Sequence, residues 1–255
     1  MHQFLFLDSD IWLRGLLIMV LVTALGCLAA ILATMGPLRR VMENKPPVAP
    51  FFGGITALFA LLLAFAVADA WSRDIQASSN LGLERRALFF LLKGAEVLPD
   101  REMGSLAQRY LSASLEGEWR VNSNETPSEG VEQVLRAIEE HALRGLLRAN
   151  GSGPSSFRQH LMQWVEDLRA ARDVRLRLGA DYGQGWKWAT LLGLCFLSQI
   201  SIALVHLDRR RTAFVCVIVF GLAATSALTV LAGFEGAYDG IGAVRPHSLE
   251  ALLDP

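Results

Sequence analysis

Apolar residues gather in four long runs, two within residues 1–71 and two between Trp186 and Phe234. Each run is about 20 residues long, the length at which a helix crosses a hydrocarbon core of ~30 Å. The stretch between the pairs mixes charged and apolar positions as a soluble helical domain does. The pattern predicts an all-α integral membrane protein with four spans and a helical extramembrane lobe between spans two and three. The predicted divisions are 1–71 for the first transmembrane pair, 72–185 for the lobe, 186–234 for the second pair and 235–255 for a C-terminal tail.

Breakers and caps place the elements. The first span runs from Ile11 to Met35, where Gly36-Pro37 ends it. Gly26 and Ala30, four apart within it, allow another helix to approach closely. Arg39, Arg40 and Lys45 follow, then Pro46, Pro47 and Pro50. The second span begins near Phe51 and leaves the apolar run at Trp71, yet no breaker follows before Pro99. One helix is therefore expected from Phe51 to Leu98, with Gly82 as its weak point. Asp100 reads as the N-cap of a helix to Trp119.

Val121 to Gly130 reads as a polar loop. Its Asn124-Glu-Thr126 matches a glycosylation acceptor, a tripeptide common by chance and assigned no function. A helix is expected from Ser128 to Ala149, and the last lobe helix from Pro154. On that helix Phe157, Leu161, Trp164, Leu168, Ala171 and Leu178 form one apolar face, expected to pack on Leu88, Leu91 and Ala95. Its charges, Glu166, Asp167, Arg169, Arg172 and Arg175, read as a solvated face. Trp186 and Trp188 mark a membrane interface. The third span then runs to Leu207, a tight turn holds Asp208 and Arg209 to Arg211, and the fourth span runs from Thr212 to Phe234.

Composition narrows the function. The chain is 52% hydrophobic, with a mean hydropathy of +0.34, which fits a part-membrane protein. A formal charge of -1 gives no reason to expect nucleic acid as a partner. Cys27, Cys195 and Cys216 all fall in apolar runs and read as packing residues. No zinc spacing, GxSxG, P-loop or HExxH is present; Glu139, Glu140 and His141 cluster, but His141 lacks a second histidine at ligand spacing. Neither an enzyme nor a cofactor is expected. The N-terminal segment has no Lys or Arg and carries Asp8 and Asp10, unlike a signal peptide, so the first run reads as a retained span. The short connections hold Arg39, Arg40, Lys45, Arg209, Arg210 and Arg211, and the tails are acidic. Positive short loops stay in the cytoplasm, which puts the lobe and both termini outside it, periplasmic for a bacterial inner-membrane protein.

One strong acid, Asp69, lies well inside a span. It shares a helical stripe with Phe51, Ile55, Leu58, Leu62, Phe65, Ser72 and Gln76, at alternating steps of four and three. As a pore wall, the stripe would set an apolar constriction at Leu58, Leu62 and Phe65 before a ring of Asp69. Alternatively it packs on a neighbouring span while Asp69 reaches the interface. Ser198, Gln199, Ser201 and His206 on the third span either bond to neighbouring helices or line a secondary polar path. His206 beside Asp208 is a weaker candidate for a protonation switch.

Four motifs, in order, carry a family resemblance: Pro46-Pro-Val-Ala-Pro-Phe-Phe-Gly-Gly leading to Leu61-Leu-Leu-Ala-Phe65 and Trp71; Glu84 with Leu98-Pro99, Tyr110 and Glu118-Trp119; Arg175-Leu-Arg-Leu178; and Phe234-Glu-Gly236 with Val244-Arg-Pro-His-Ser-Leu-Glu-Ala-Leu252. Together they resemble the bestrophin-like family of bacterial membrane proteins. The chain departs from that family at Leu83-Glu84-Arg85, where a Glu-Ala pair is usual, and at Leu231-Ala-Gly-Phe234, where Asp-Arg-Pro-Phe is usual. The resemblance implies a bilayer-embedded homo-oligomer, a pentamer by analogy with true bestrophins, whose second span lines an ion pore with an aromatic neck. It also implies the opposite orientation, because the true bestrophin lobe is cytoplasmic. The alternative is a membrane-anchored scaffold or sensor whose lobe binds a protein partner without conduction.

Overall fold

The computed structural model describes residues 9–35, 49–97, 100–120, 124–147, 155–180, 185–207, 209–234, 236–238 and 243–253. Among these the chain is helical, with no strand. The elements are α1 (Ser9–Met35), α2 (Ala49–Val97), α3 (Arg101–Ser114, continued by a π-helical turn Leu115–Arg120), α4 (Glu129–Leu147), α5 (Ser155–Ala180), α6 (Gly185–Val205), α7 (Arg210–Gly233) and the short α8 (His247–Glu250). The linker bases Arg39, Arg40 and Lys45, together with Asp208, lie outside the described residues.

Four helices are long and apolar enough to cross a membrane: α1, the first part of α2, α6 and α7. The predicted all-α, four-span chain is therefore observed. The chain divides into two compact units, one of residues 1–71 and 183–235 and one of residues 72–182 and 236–255.

In the membrane unit α1 packs along both α6 and α7. Val22, Leu191, Cys195, Ala224, Leu228 and Leu231 form its core, and α2 adds Phe59, Ala66 and Ala70. Phe59 meets the Phe220 ring at 5.8 Å. The small residue at Gly26 does what its position suggests. A Cβ there would stand 3.0 Å from both Gln199 Nε2 and Val217 Cγ1, tighter than most real contacts, so a larger residue would push these side chains aside by a few tenths of an ångström.

The lobe unit folds around Leu88, Leu91, Tyr110, Leu111, Leu135, Ile138 and Leu168. Asp100 caps α3 as expected, its Oδ1 accepting from the Met103 amide at 3.0 Å. Leu88, Leu91 and Leu168 are fully buried, and Trp164 stacks on Phe90 at 5.2 Å. The side chain of Phe157 lies outside the described residues. The segment after the fourth span, read as a tail of its own, packs into this unit: Leu249 is fully buried in the lobe core, and Tyr238 meets Trp119 edge-on at 5.2 Å. An amphipathic α8 of four residues explains why periodicity could not reveal it.

Candidate functional site

The expected helix is unbroken across its described residues: α2 is helical for 49 residues, Ala49–Val97, ~70 Å at 1.5 Å per residue. Helical geometry gives it two adjoining faces. Phe59, Ala66, Ala70, Ala77, Asn80, Glu84, Ala87, Leu88 and Leu91 are buried along one of them. On the other, Leu58 is 55% exposed, Leu62 39% and Phe65 63%, with Asp69, Ser72 and Gln76 also exposed. The helix itself aligns these six positions, and the chain leaves them uncovered. Gln76 donates to the Ser72 hydroxyl at 3.1 Å along the same stripe. Asp69 lies 3.9 Å from Lys187, a partner supplied by the start of α6 that sequence spacing could not reveal.

The polar residues of α6 are directed into the membrane bundle. Ser198, Gln199 and Ser201 are buried. Gln199 donates to the Val22 carbonyl at 3.2 Å, and Ser201 donates to the Ser198 carbonyl at 2.8 Å. His206 uses Nδ1 on the Ile202 carbonyl at 2.9 Å, which makes that nitrogen the protonated one in the neutral ring.

The strongest electrostatic feature was not among the predicted site residues. Arg172 and Arg175, expected on a solvated face of α5, are buried, at 2% and 0% exposure. Glu166 and Asp167 do face solvent. Arg175 grips Glu84 of α2 through Nε at 2.9 Å and Nη2 at 3.0 Å, and Nη2 also reaches Glu118 at 2.9 Å and the Ser114 hydroxyl at 3.0 Å. Its Nη1 donates to the side-chain oxygen of Asn124. Arg172 donates to Glu118 at 2.7 Å and to Glu132 at 2.6 Å, and Arg169 continues outward to Glu132 and Glu139. The Tyr110 hydroxyl completes the set by donating to Glu84 at 3.0 Å. A buried charge is tolerated only when paired and hydrogen-bonded, and this alternating acid–base chain meets that condition.

The environment shifts the protonation of these groups. Burial pushes the Tyr110 phenol well above its ordinary value, and the adjacent Glu84 carboxylate adds to the rise. Burial alone would lower the Arg175 guanidinium, but Glu84, Tyr110 and Glu118 override it and hold the group above its ordinary range. Burial would raise Glu132, yet Arg172 and Arg169 bring it below its ordinary value.

Local backbone makes the network fit. Asn124 takes a positive φ of 64°, a conformation asparagine tolerates. Its carbonyl comes so near α5 that a Cβ on Gly179 would lie 2.2 Å from it. Asn124 is also fully buried, so the tripeptide there is closed to glycosylation in the folded lobe. Glu84, Tyr110, Glu118, Trp119 and Arg175, the residues that carry two of the four resembling motifs, are the ones the fold gathers here, with Arg175 5.2 Å from the Trp119 ring. Their order along the chain was visible, but nothing in the spacing showed that they meet.

Among the described residues no group of three or more His, Cys, Asp or Glu is arranged to hold a metal ion. His141 is instead held by Asp100 at 2.7 Å and Glu102 at 3.4 Å.

The sequence model described as the Bestrophin-like domain matches residues 18–249. No curated protein matches the chain. Among solved structures, a point variant of the bacterial bestrophin homologue from Klebsiella pneumoniae is similar over 96% of each chain, with 14% identity and a TM-score of 0.65. The same homologue, solved by zinc anomalous phasing, is similar over 92% of this chain and 95% of that one, with 12% identity and a TM-score of 0.66. At such identity the likeness concerns the fold.

Proposed function

The chain belongs to the bestrophin-like family, and from that premise we propose that it is an oligomeric ion channel whose second span lines the pore. The observation that carries this reading is the uncovered face of α2. In the most apolar stretch of α2, 11% of the residues are buried by the chain, against 28% in α1, 44% in α6 and 28% in α7. A ring of identical α2 helices would cover that helix and turn Leu58, Leu62 and Phe65 towards the axis. Repetition around the axis makes a narrow apolar neck, which gates by dewetting, followed by a ring of Asp69 and then Ser72 and Gln76. Five copies are the number expected by analogy with true bestrophins. The chemistry required is ion passage with no catalysis, in a bacterial inner membrane with the lobe and both termini on the periplasmic side.

The Asp69 ring attracts cations and repels anions, and Lys187 tempers that charge from behind. The channel is therefore expected to prefer cations. Asp69→Asn should reduce the preference, Lys187→Gln should increase it, and Phe65→Ala should widen the neck and raise basal current. Reversal potentials of purified protein in planar bilayers measure all three. Unchanged selectivity in Asp69→Asn would place the pore on another helical face. Absence of current from wild type and Phe65→Ala would favour the scaffold or sensor reading instead.

A further inference from the structure

The bundle of α1, α6 and α7 holds a cavity of about 50 Å³, lined by residues that include Gly26, Cys27, Gln199, Phe214, Val217 and Gly221. Gln199 is fully buried. Its Nε2 is satisfied by the Val22 carbonyl, but its Oε1 has no donor among the described residues. Leaving an amide oxygen unpaired inside a membrane bundle is costly. Two glycines border this space: a Cβ at Gly26 would stand 3.0 Å from Gln199 Nε2, and one at Gly221 would make an ordinary contact 3.4 Å from it. Cys27, Ile218 and Leu222 are exposed at the rim, so the cavity can be reached from the outer surface of the bundle.

We propose that this cavity binds a short-chain alcohol, whose hydroxyl donates to Gln199 Oε1 while its alkyl group lies against Phe214 and Val217. The size suits one or two carbons. The lining, apolar but for Gln199 and Thr23, suits a ligand with one hydroxyl and an apolar end, whereas a water would reach only the low end of the two to four polar partners it seeks. Gln199 offers one free acceptor here, and apart from Thr23 the remaining lining is apolar or glycine and cysteine.

Cys27 provides the test. In full-length protein carrying Cys216→Ser, Cys27 is the accessible thiol and Cys195 is buried. Cys27 is converted either to its hydroxyethyl disulfide or to its ethyl disulfide with the matching methanethiosulfonates, and melting temperatures are compared. The two adducts differ by one hydroxyl. The hydroxyethyl adduct should melt about 2–4 °C above the ethyl adduct, the shift that one hydrogen bond gives a chain of this size. That difference should vanish in Gln199→Leu. Should that variant fail to fold, Gly221→Ala narrows the cavity by an ordinary van der Waals contact and should shrink the difference. Equal melting of the two adducts in the Gln199 background overturns the proposal. So does a difference that persists without the Gln199 amide.

Discussion

Arg175 is buried as a charge because Glu84 and Glu118 pair with it. Removing the guanidinium leaves Glu84 buried without its principal partner, so Arg175→Met should destabilise the lobe by about 3–5 kcal/mol. Adding Glu84→Gln should recover part of the loss, because the uncompensated charge goes with it. Chemical denaturation of the full chain, followed by Trp119 and Trp164 fluorescence, reads both effects. The network also sets the pH response. Glu132 is held below its ordinary value, so the folded state binds fewer protons than the unfolded one on the acid side. Stability from this group is present above the ordinary carboxylate range and lost as pH falls through the folded value. Tyr110 is raised, so its contribution is full below about pH 10 and lost as pH climbs beyond it. Lobe melting temperature should be flat through neutrality and fall at both ends. Glu132→Gln should flatten the acid arm, and Tyr110→Phe the alkaline arm.

At the scale of elements, α2 and α5 were legible from periodicity and breakers, and their contact was legible in part. The apolar face of α5 does bury Leu168 and bring Trp164 onto Phe90. Trp164 is only partly buried, so Trp164→Ala should cost about 2–3 kcal/mol, below the full-core figure for an aromatic. The closer constraint is Gly179. A methyl there meets the Asn124 backbone at 2.2 Å, and backbone cannot rotate away as a side chain can. Gly179→Ala should therefore cost about 3 kcal/mol or more. It should also loosen the Asn124 turn, which faster amide exchange at Asn124, Glu125, Thr126 and Ser128 would show. A melting temperature equal to wild type would mean that α5 shifts without penalty.

At the scale of the whole molecule, the charge asymmetry of the short loops makes a statement about topology. With Arg210 cytoplasmic, an impermeant thiol reagent applied to intact cells should label a cysteine placed at Ser123 and miss one placed at Arg210. The reverse pattern would put the lobe in the cytoplasm, as in true bestrophins. The same asymmetry was readable because loop bases act as a count, which needs no knowledge of contacts.

Length, periodicity and breakers determined the four spans, the unbroken α2 and the Asp100 cap, because these depend on residues within a few turns of one another. The stripe from Leu58 to Gln76 belongs to that class: one helix aligns it whatever else the chain does. Tertiary structure alone decided that the adjoining face of α2 is the covered one, that Lys187 comes within 3.9 Å of Asp69, and that Arg172 and Arg175 are buried. An arginine on an amphipathic helix carries no local mark of whether water or a carboxylate will surround it. Glu84 and Glu118 are 91 and 57 residues away from Arg175 in the chain, and only folding brings them within hydrogen-bond reach. Burial then turns ordinary surface chemistry into a paired charge that neither partner can lose alone.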